Sequence, residues 1–348
     1  LAVVVSDATP APRHRWPWFA LLVALGGLGV YLGAPEIESL GAAWHRLAGV
    51  PVVTIAVILG GALGLVATEA LRIAVIGRLI GVTVSPRDAW DAAVANHVMT
   101  AITPHVGLGE PTVAYVLGRR GIPWDAAVAI PFLKFTTSLA FVFAIGAGLL
   151  LAGFGPPVER WLAGSGIAVF VAIAVITTVV LVVSARPRLA RRVIAGMRGW
   201  LARRRWLASD ARQARVGEAA GVAERMIDRL DGVRRTTWRG AAILGVVHLV
   251  YYASYITPLV GLAVVLGDPP RVRLALRALV YLCFVFAVPT PGGAGPSEAA
   301  AGLFFGDLVA PVDAIVIVTV FRAATFYLQV AIGVVYVPIA TALQRRRR

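Results

Sequence analysis

Cysteine, lysine and acidic side chains are scarce in this 348-residue chain, and each shortage excludes something. One cysteine, Cys283, lies inside an apolar run, which leaves no disulfide framework and no thiolate metal cluster. It reads as a small buried hydrophobe. Of 33 basic residues only Lys134 is a lysine, and the acidic residues number 18. Charged residues make up 15% of the chain against 59% hydrophobic, and the mean hydropathy is +0.81, a balance that excludes a soluble enzyme or a disordered tail. The net charge of +15 does not point to nucleic acid, because the basic residues are localised and the apolar runs are long. His97, His105 and His248 lack metal-ligand spacing, and Gly293-Ala294-Gly295 has neither the third glycine nor the preceding strand of a dinucleotide fingerprint. No metal and no cofactor is expected.

What the chain has instead is long hydrophobic stretches. A membrane-crossing helix needs about 20 apolar residues, and segments 17–34, 51–80, 124–153, 165–185, 240–267 and 312–343 meet that need. The first follows Arg13, His14 and Arg15 like a signal peptide, but no small-residue cleavage site follows cleanly, so it reads as retained. Arginine in short loops orients the chain. Placing residues 1–16 in the cytoplasm gathers Arg87, Arg119, Arg120, the segment 186–239 and the basic tail 344–348 on that side, so the expectation is a multi-pass protein of the cell (cytoplasmic) membrane with both termini cytoplasmic. Segment 186–239 carries 15 arginines and five acidic residues, with Val193, Met197, Trp200, Leu201, Trp206 and Leu207 at roughly helical spacing. That pattern is a basic amphipathic insert lying on anionic headgroups, or one that gathers lipid or docks a partner.

Two stretches are neither spans nor loops. Residues 88–120 form a helix-like run broken at Thr103-Pro104-His105-Val106-Gly107-Leu108-Gly109-Glu110; residues 273–306 break at Pro289-Thr290-Pro291-Gly292-Gly293-Ala294-Gly295-Pro296-Ser297-Glu298. Proline and glycine at that density end a helix, and in hydrocarbon the freed backbone groups survive only inside protein or beside water. Each stretch reads as a re-entrant helical hairpin. The two also match one another: Thr103-Pro104 with Thr290-Pro291, Gly107 and Gly109 with Gly293 and Gly295, Glu110 near Glu298, and Ile122-Pro123-Trp124-Asp125-Ala126 with Ala310-Pro311-Val312-Asp313-Ala314. Lys134 and Thr137 then answer Arg322 and Thr325. The loop count makes the first hairpin enter from the cytoplasm and the second from outside. The expected fold is therefore an all-α polytopic membrane protein of about six spanning helices and two re-entrant hairpins. They fall into two inverted-topology repeats, 17–154 and 165–343, an arrangement found in secondary transporters.

The chemistry-bearing residues fall inside this frame. Lys134, and Arg322 opposite it, are cations in spanning segments, which are costly to place there and so mark candidate sites. With the starts of the returning helices near Pro111 and Ser297 they could hold a phosphate, or they could neutralise Glu110, Glu298, Asp125 or Asp313. Glu110 and Glu298 could cap those helices or carry a coupling proton. Glu69 and Arg72, at i and i+3, suit an ion pair on one helix face. Tyr251, Tyr252 and Tyr255 form a stripe read as packing or an interfacial belt, and Gly60, Gly61 and Gly64 allow close helix approach.

The proline-glycine element with Glu298, and its earlier partner from Thr103-Pro104 to Gly109-Glu110, resemble the flippase-like membrane region of lysylphosphatidylglycerol synthases and their stand-alone relatives, over about residues 50–340. Arg72 looks like that family's basic residue in the second span. Where relatives often carry a Glu-Arg pair and a later Asp in the third span, this chain has Leu133-Lys134 and Thr137. The resemblance implies a stand-alone member without the soluble acyltransferase domain, not an enzyme, that moves an anionic phospholipid or polyprenyl-phosphate-linked lipid between leaflets. Its partners would be those membrane lipids, with a homo-oligomer left open. An ion-coupled carrier for a small anionic solute is the alternative reading, and a membrane enzyme acting on a lipid-linked substrate a third.

Overall fold

The computed structural model describes residues 48–102, 109–154, 186–203, 210–234, 238–267, 271–287 and 300–345, with isolated helical positions between 175 and 182. The expected span 17–34, all but those isolated positions of 165–185, and both Thr-Pro turns lie outside the described residues. Among those described, all regular structure is helical. In chain order the elements are α1 (Val52–Leu79), α2 (Pro86–Ile102), α3 (Glu110–Arg119), α4 (Trp124–Leu151), α5 (Pro187–Ala202), α6 (Asp210–Arg234), α7 (Trp238–Gly267), α8 (Arg271–Ala287), α9 (Ala301–Phe305), α10 (Pro311–Arg322), a π-helical turn (Ala323–Tyr327) and α11 (Leu328–Arg345).

Among the described residues four stretches are long and apolar enough to cross a membrane: α1, α4, α7 and the continuous run Asp313–Tyr336. Their outward faces fit that solvent. Val53, Leu59, Leu63 and Leu71 on α1, and Ile243, Val246 and Leu249 on α7, are exposed and apolar, as lipid-facing side chains must be.

Local chemistry sets the ends of these helices. Gly81, at a positive φ of 81°, closes α1 by letting the Val82 N–H reach back to the Gly77 carbonyl (2.9 Å). Ser85 then opens α2: its hydroxyl accepts from the Asp88 N–H (3.1 Å) and donates to the Asp88 carboxylate (2.6 Å), with Pro86 in the first turn. Gly121 repeats the positive-φ exit after α3, and the Ile122 N–H bonds to the Leu117 carbonyl (3.2 Å).

Two hydrophobic clusters share α1. Its first half packs with α7, α8, α9 and α10 around Leu65, Leu259, Tyr281, Phe304 and Phe321; its second half packs with α2, α3 and α4 around Ile73, Val94, Leu117 and Ile130. Met226, Leu230 and Val233 of α6 lie against the second cluster. α1 and α7 run antiparallel in close contact, Gly61 facing Thr257 and Pro258, Gly64 facing Ser254, and Gly261 facing Val57. Glycine at these positions removes the side chain that would hold the backbones apart.

Charged pairs sit at the bases of the two helix pairs α2–α3 and α8–α9. Arg120 joins Asp91, and Asp88 at 3.5 Å, while Tyr336 of α11 donates to Asp91 at 2.6 Å. At α8–α9 the signs are reversed: Arg277, 1% exposed, lies on the first helix and donates to Asp307 (2.9 Å) and to the Phe304 carbonyl (3.0 Å).

Two further glycines permit contacts no alanine could make. A methyl group on Gly146 of α4 would overlap the Cys283 sulfur of α8, and one on Gly333 of α11 would overlap Val98 of α2. Gly146→Ala is expected to cost about 1–3 kcal/mol by overpacking and to lower the unfolding midpoint in detergent. Adding Cys283→Ala, which removes the overlapped atom, should restore most of the loss; an unchanged midpoint in Gly146→Ala would show that the contact is not close in solution.

Candidate functional site

The site is built on Glu69, a carboxylate 1% exposed in the middle of an apolar helix bundle. A charge stripped of water there persists only if both its oxygens find donors or cations. α1, α2 and α4 supply them. Glu69 Oε2 accepts from Arg72 one turn on (2.9 Å), while Oε1 accepts from Asn96 Nδ2 of α2 (2.8 Å) and from Lys134 Nζ of α4. Lys134, 1% exposed, then reaches a second acid, Glu110 at the start of α3, at 3.0 Å. Two carboxylates and two cations from α1, α3 and α4, with Asn96 of α2, thus form one balanced cluster.

Arg72 carries the cluster into the second half of the chain. Its guanidinium donates to Ser138 Oγ of α4, approaches His248 Nε2 of α7 at 3.3 Å, and lies 4.1 Å from the centre of the Tyr251 ring. The His248 Nδ1 atom is 2.7 Å from the Leu244 carbonyl, so Nδ1 carries the proton and Nε2 is the acceptor facing Arg72. Arginine suits this place: five fixed donors and a flat face serve an acid, a hydroxyl, an imidazole and an aromatic ring together.

Gly109 sets the way α3 enters. It is buried, and a methyl group there would overlap the Asn96 and Thr100 side-chain oxygens and press on the Asn96 carbonyl. The absent side chain lets Glu110 come down on Lys134. Glu110 is also the most accessible member of the quartet, its side chain 18% exposed against 1–3% for Glu69, Lys134 and Arg72.

The residues singled out in the sequence divide in the structure. Glu69, Arg72, Lys134, Gly109 and Glu110 come together. Asp125 does not join them: it pairs with Arg229 of α6, at the start of α4. Arg322 is buried at the end of α10 with its guanidinium 4.6 Å from the Phe326 ring, and Asp313 is buried at the beginning of the same helix. Thr103, Pro104, His105, Gly107, Thr290, Pro291, Gly293, Gly295, Ser297 and Glu298 lie outside the described residues.

Asn96, Ser138 and His248 join the cluster without having been picked out as site residues, since neutral polar groups spaced along three helices carry no pairing signal. The tyrosine stripe acquires a geometry as well. Tyr251 lies under Arg72, 6.0 Å from the Tyr255 ring, and Tyr255 is 5.7 Å from Phe321, next to Arg322. Among the described residues no group of His, Cys, Asp and Glu is placed to hold a metal ion.

Removing one member of a buried ion cluster strands the others. Glu69→Gln is expected to destabilise the protein by about 3–5 kcal/mol, read as a lowered unfolding midpoint in detergent. Lys134→Met added to Glu69→Gln should cost less than the two single changes combined, because it restores the charge balance. Strict additivity in that double-mutant cycle would mean the two side chains do not interact.

A family model described as the lysylphosphatidylglycerol synthase TM region matches residues 16–333. Comparison with curated proteins and with solved structures returned no match. The matched stretch takes in every described residue of the buried cluster and all but the last residues of the helical bundle, and on that coverage the chain belongs to the lysylphosphatidylglycerol synthase TM-region family of membrane proteins.

Proposed function

We propose that this protein is a lipid translocase, not an enzyme, which passes a lipid with an anionic, phosphate-bearing headgroup between leaflets through a site at the interface of two inverted repeats. The observation that carries the reading is the buried ammonium of Lys134 shared between Glu69 and Glu110. Glu69 is enclosed and held by three donors, whereas Glu110 is partly accessible and sits at the start of a short helix. A phosphate arriving at that opening can replace the Glu110 carboxylate on Lys134 while Glu69 stays in place. The cation then keeps a partner of opposite charge throughout, so the headgroup enters without the cost of an unpaired buried charge.

Packing supports the inverted repeat. α2 starts at the end of the bundle where α1 finishes, and α8 starts where α1 begins, because α1 and α7 are antiparallel neighbours. The contacts between halves are reciprocal: Gly146 of the first half meets Cys283 on α8, and Gly333 of the second meets Val98 on α2. Thr137 and Thr325 each donate to the carbonyl four residues back, at 2.6 and 2.8 Å, beside Lys134 and Arg322. A two-fold axis in the membrane plane accounts for all three, and such pairs of hairpins and halves are how transporters expose one site alternately to each side. Exposed Arg78, Arg87 and Arg119, together with the arginines of α5 and α6, lie at one end of the bundle, which favours placing that end in the cytoplasm of a cell-membrane protein. Lys134 and Arg322 would bind the headgroup in turn, with Glu110 and Glu298 as the acids that yield to it.

The test is reconstitution of the full chain in vesicles carrying a trace of labelled anionic phospholipid. Leaflet exchange is expected to be fast in the parent and to fall at least tenfold in Lys134→Ala with Arg322→Ala, the loss of about 1.4 kcal/mol or more of headgroup binding. Exchange equal in parent and double variant would overturn the proposal. Uptake of labelled inorganic phosphate in place of lipid exchange would assign the site to a carrier for a soluble anion.

A further inference from the structure

The span Asp313–Tyr336 runs from α10 into α11 with a π turn set into it. The turn, Ala323–Tyr327, follows Arg322 directly, and the Leu328 N–H reaches five residues back to the Ala323 carbonyl. As α11 resumes bonding four residues back, the Ala324 carbonyl is the one passed over. A carbonyl skipped in apolar surroundings needs a donor from elsewhere. Gln329 supplies it: its Nε2 lies 3.4 Å from the Ala324 carbonyl and donates to the Ala62 carbonyl of α1 at 2.8 Å. The side chain is 2% exposed, and donation to two carbonyls fixes which end of the amide is nitrogen. Its Oε1 has no hydrogen-bond partner among the described residues, a cost that an apolar side chain of the same size would avoid. The amide is therefore placed for its N–H groups.

Helix phase gives the turn its consequence. In a regular α-helix Arg322 and Gln329, seven residues apart, share a face. Gln329 lays that face on α1, so a regular helix would carry Arg322 toward α1 with it. The π turn takes up one extra residue, which offsets the helix before it by about 100°. Arg322, buried, instead has its guanidinium 4.6 Å from the Phe326 ring, and Phe321 before it lies 5.7 Å from Tyr255 of α7. α4 behaves otherwise: it runs as α-helix past Lys134, and Phe141, seven residues on, stacks on Tyr252 of α7. Ala62 stands seven residues before Glu69, so one face of α1 holds Lys134 through Glu69 and the π turn through Ala62.

We infer that Gln329 is a positioning residue for Arg322: it supplies the donor that the π turn lacks, pins the turn to α1, and so keeps Arg322 rotated off the α1 face as the second headgroup-binding cation. The rotation stands on the fold alone, whereas the headgroup role of Arg322 rests on the translocase reading.

The test uses the full chain with Cys283→Ala, spin-labelled at Leu63→Cys on α1 and Thr319→Cys on α10, both exposed positions, and reconstituted in phosphatidylcholine vesicles with a trace of labelled anionic phospholipid. Gln329→Leu leaves the Ala324 carbonyl without that donor, and relaxation to regular helix swings a side chain about 5–6 Å from the axis through roughly 8 Å. Expected are a second Leu63–Thr319 distance and leaflet exchange lowered to the level of Arg322→Ala, with no further loss when the two changes are combined. Deleting Ala324 removes the extra residue, so that unbroken α-helix holds the same phase without the amide. That deletion should restore the parent's single distance and exchange in Gln329→Leu, and should change neither in the chain that keeps Gln329, a measurement that decides the matter even if Gln329→Leu does not fold. A single unchanged distance in Gln329→Leu, a further loss on adding Arg322→Ala, or a deletion that shifts the distance would overturn the positioning role. A parent that exchanges no lipid would overturn the translocase reading alone, with the distances still deciding how α10 is turned.

Discussion

The Glu69 carboxylate is the interaction on which the described bundle turns. A single oxygen pair receives Arg72 from its own helix, Asn96 from α2 and Lys134 from α4, and through Arg72 the contact extends to His248 and Tyr251 of α7. Dispersion between apolar helices is weakly directional, and in lipid the hydrophobic effect does not favour helix against helix over helix against acyl chain. Fixed charges in a low-dielectric interior are different: each donor must sit within hydrogen-bonding distance of its acceptor or the whole desolvation cost returns. The cluster therefore sets the rotation of α1, α2 and α4 about their axes, while Gly61, Gly109 and Gly146 set how closely α7, α3 and α8 approach these three helices.

How much of this can be read from sequence varies with the range of the interaction. The long helices are legible because length and apolarity alone define them, and Val52–Leu79, Trp124–Leu151 and Trp238–Gly267 lie on the segments that hydropathy marks. Glu69 with Arg72 is legible because i, i+3 spacing is a local matter. Lys134 announces itself as a lone ammonium in an apolar stretch. Its partners do not: Asn96 and Glu69 are 27 residues apart, and Arg72 and His248 are 176 apart, so only the packing of helices reveals that they meet. Asp125 shows the same limit in the other direction. The sequence sets it nine residues before Lys134, yet α6 packs an arginine over the start of α4 and takes it.

Lys134 and Arg322 stand in unlike surroundings, and the differences are physical. Lys134 is followed by ordinary α-helix, whereas Arg322 is followed by a π-helical turn from Ala323 to Tyr327, next to which Gln329 donates to the Ala62 carbonyl of α1 at 2.8 Å. A π turn widens the helix and breaks the regular bonding ladder, so the second cation sits on a looser stretch of backbone than the first. The ion pairs at the bases of α2–α3 and α8–α9 are reversed in sign, with acids on α2 and an arginine on α8. Neither helix pair could exchange one of these residues for the other pair's without placing like charges together.

The enclosure of Lys134 has a chemical consequence beyond the cluster. It is the only lysine in the sequence, and its side chain is 2% exposed. Every other basic side chain that can ionise fully at neutral pH is a guanidinium, which stays charged and is a poor nucleophile. No surface residue of this sequence therefore offers the side-chain amine that acetylation, methylation of lysine or ubiquitin attachment requires, and the positive face of the protein cannot be neutralised or tagged by those routes.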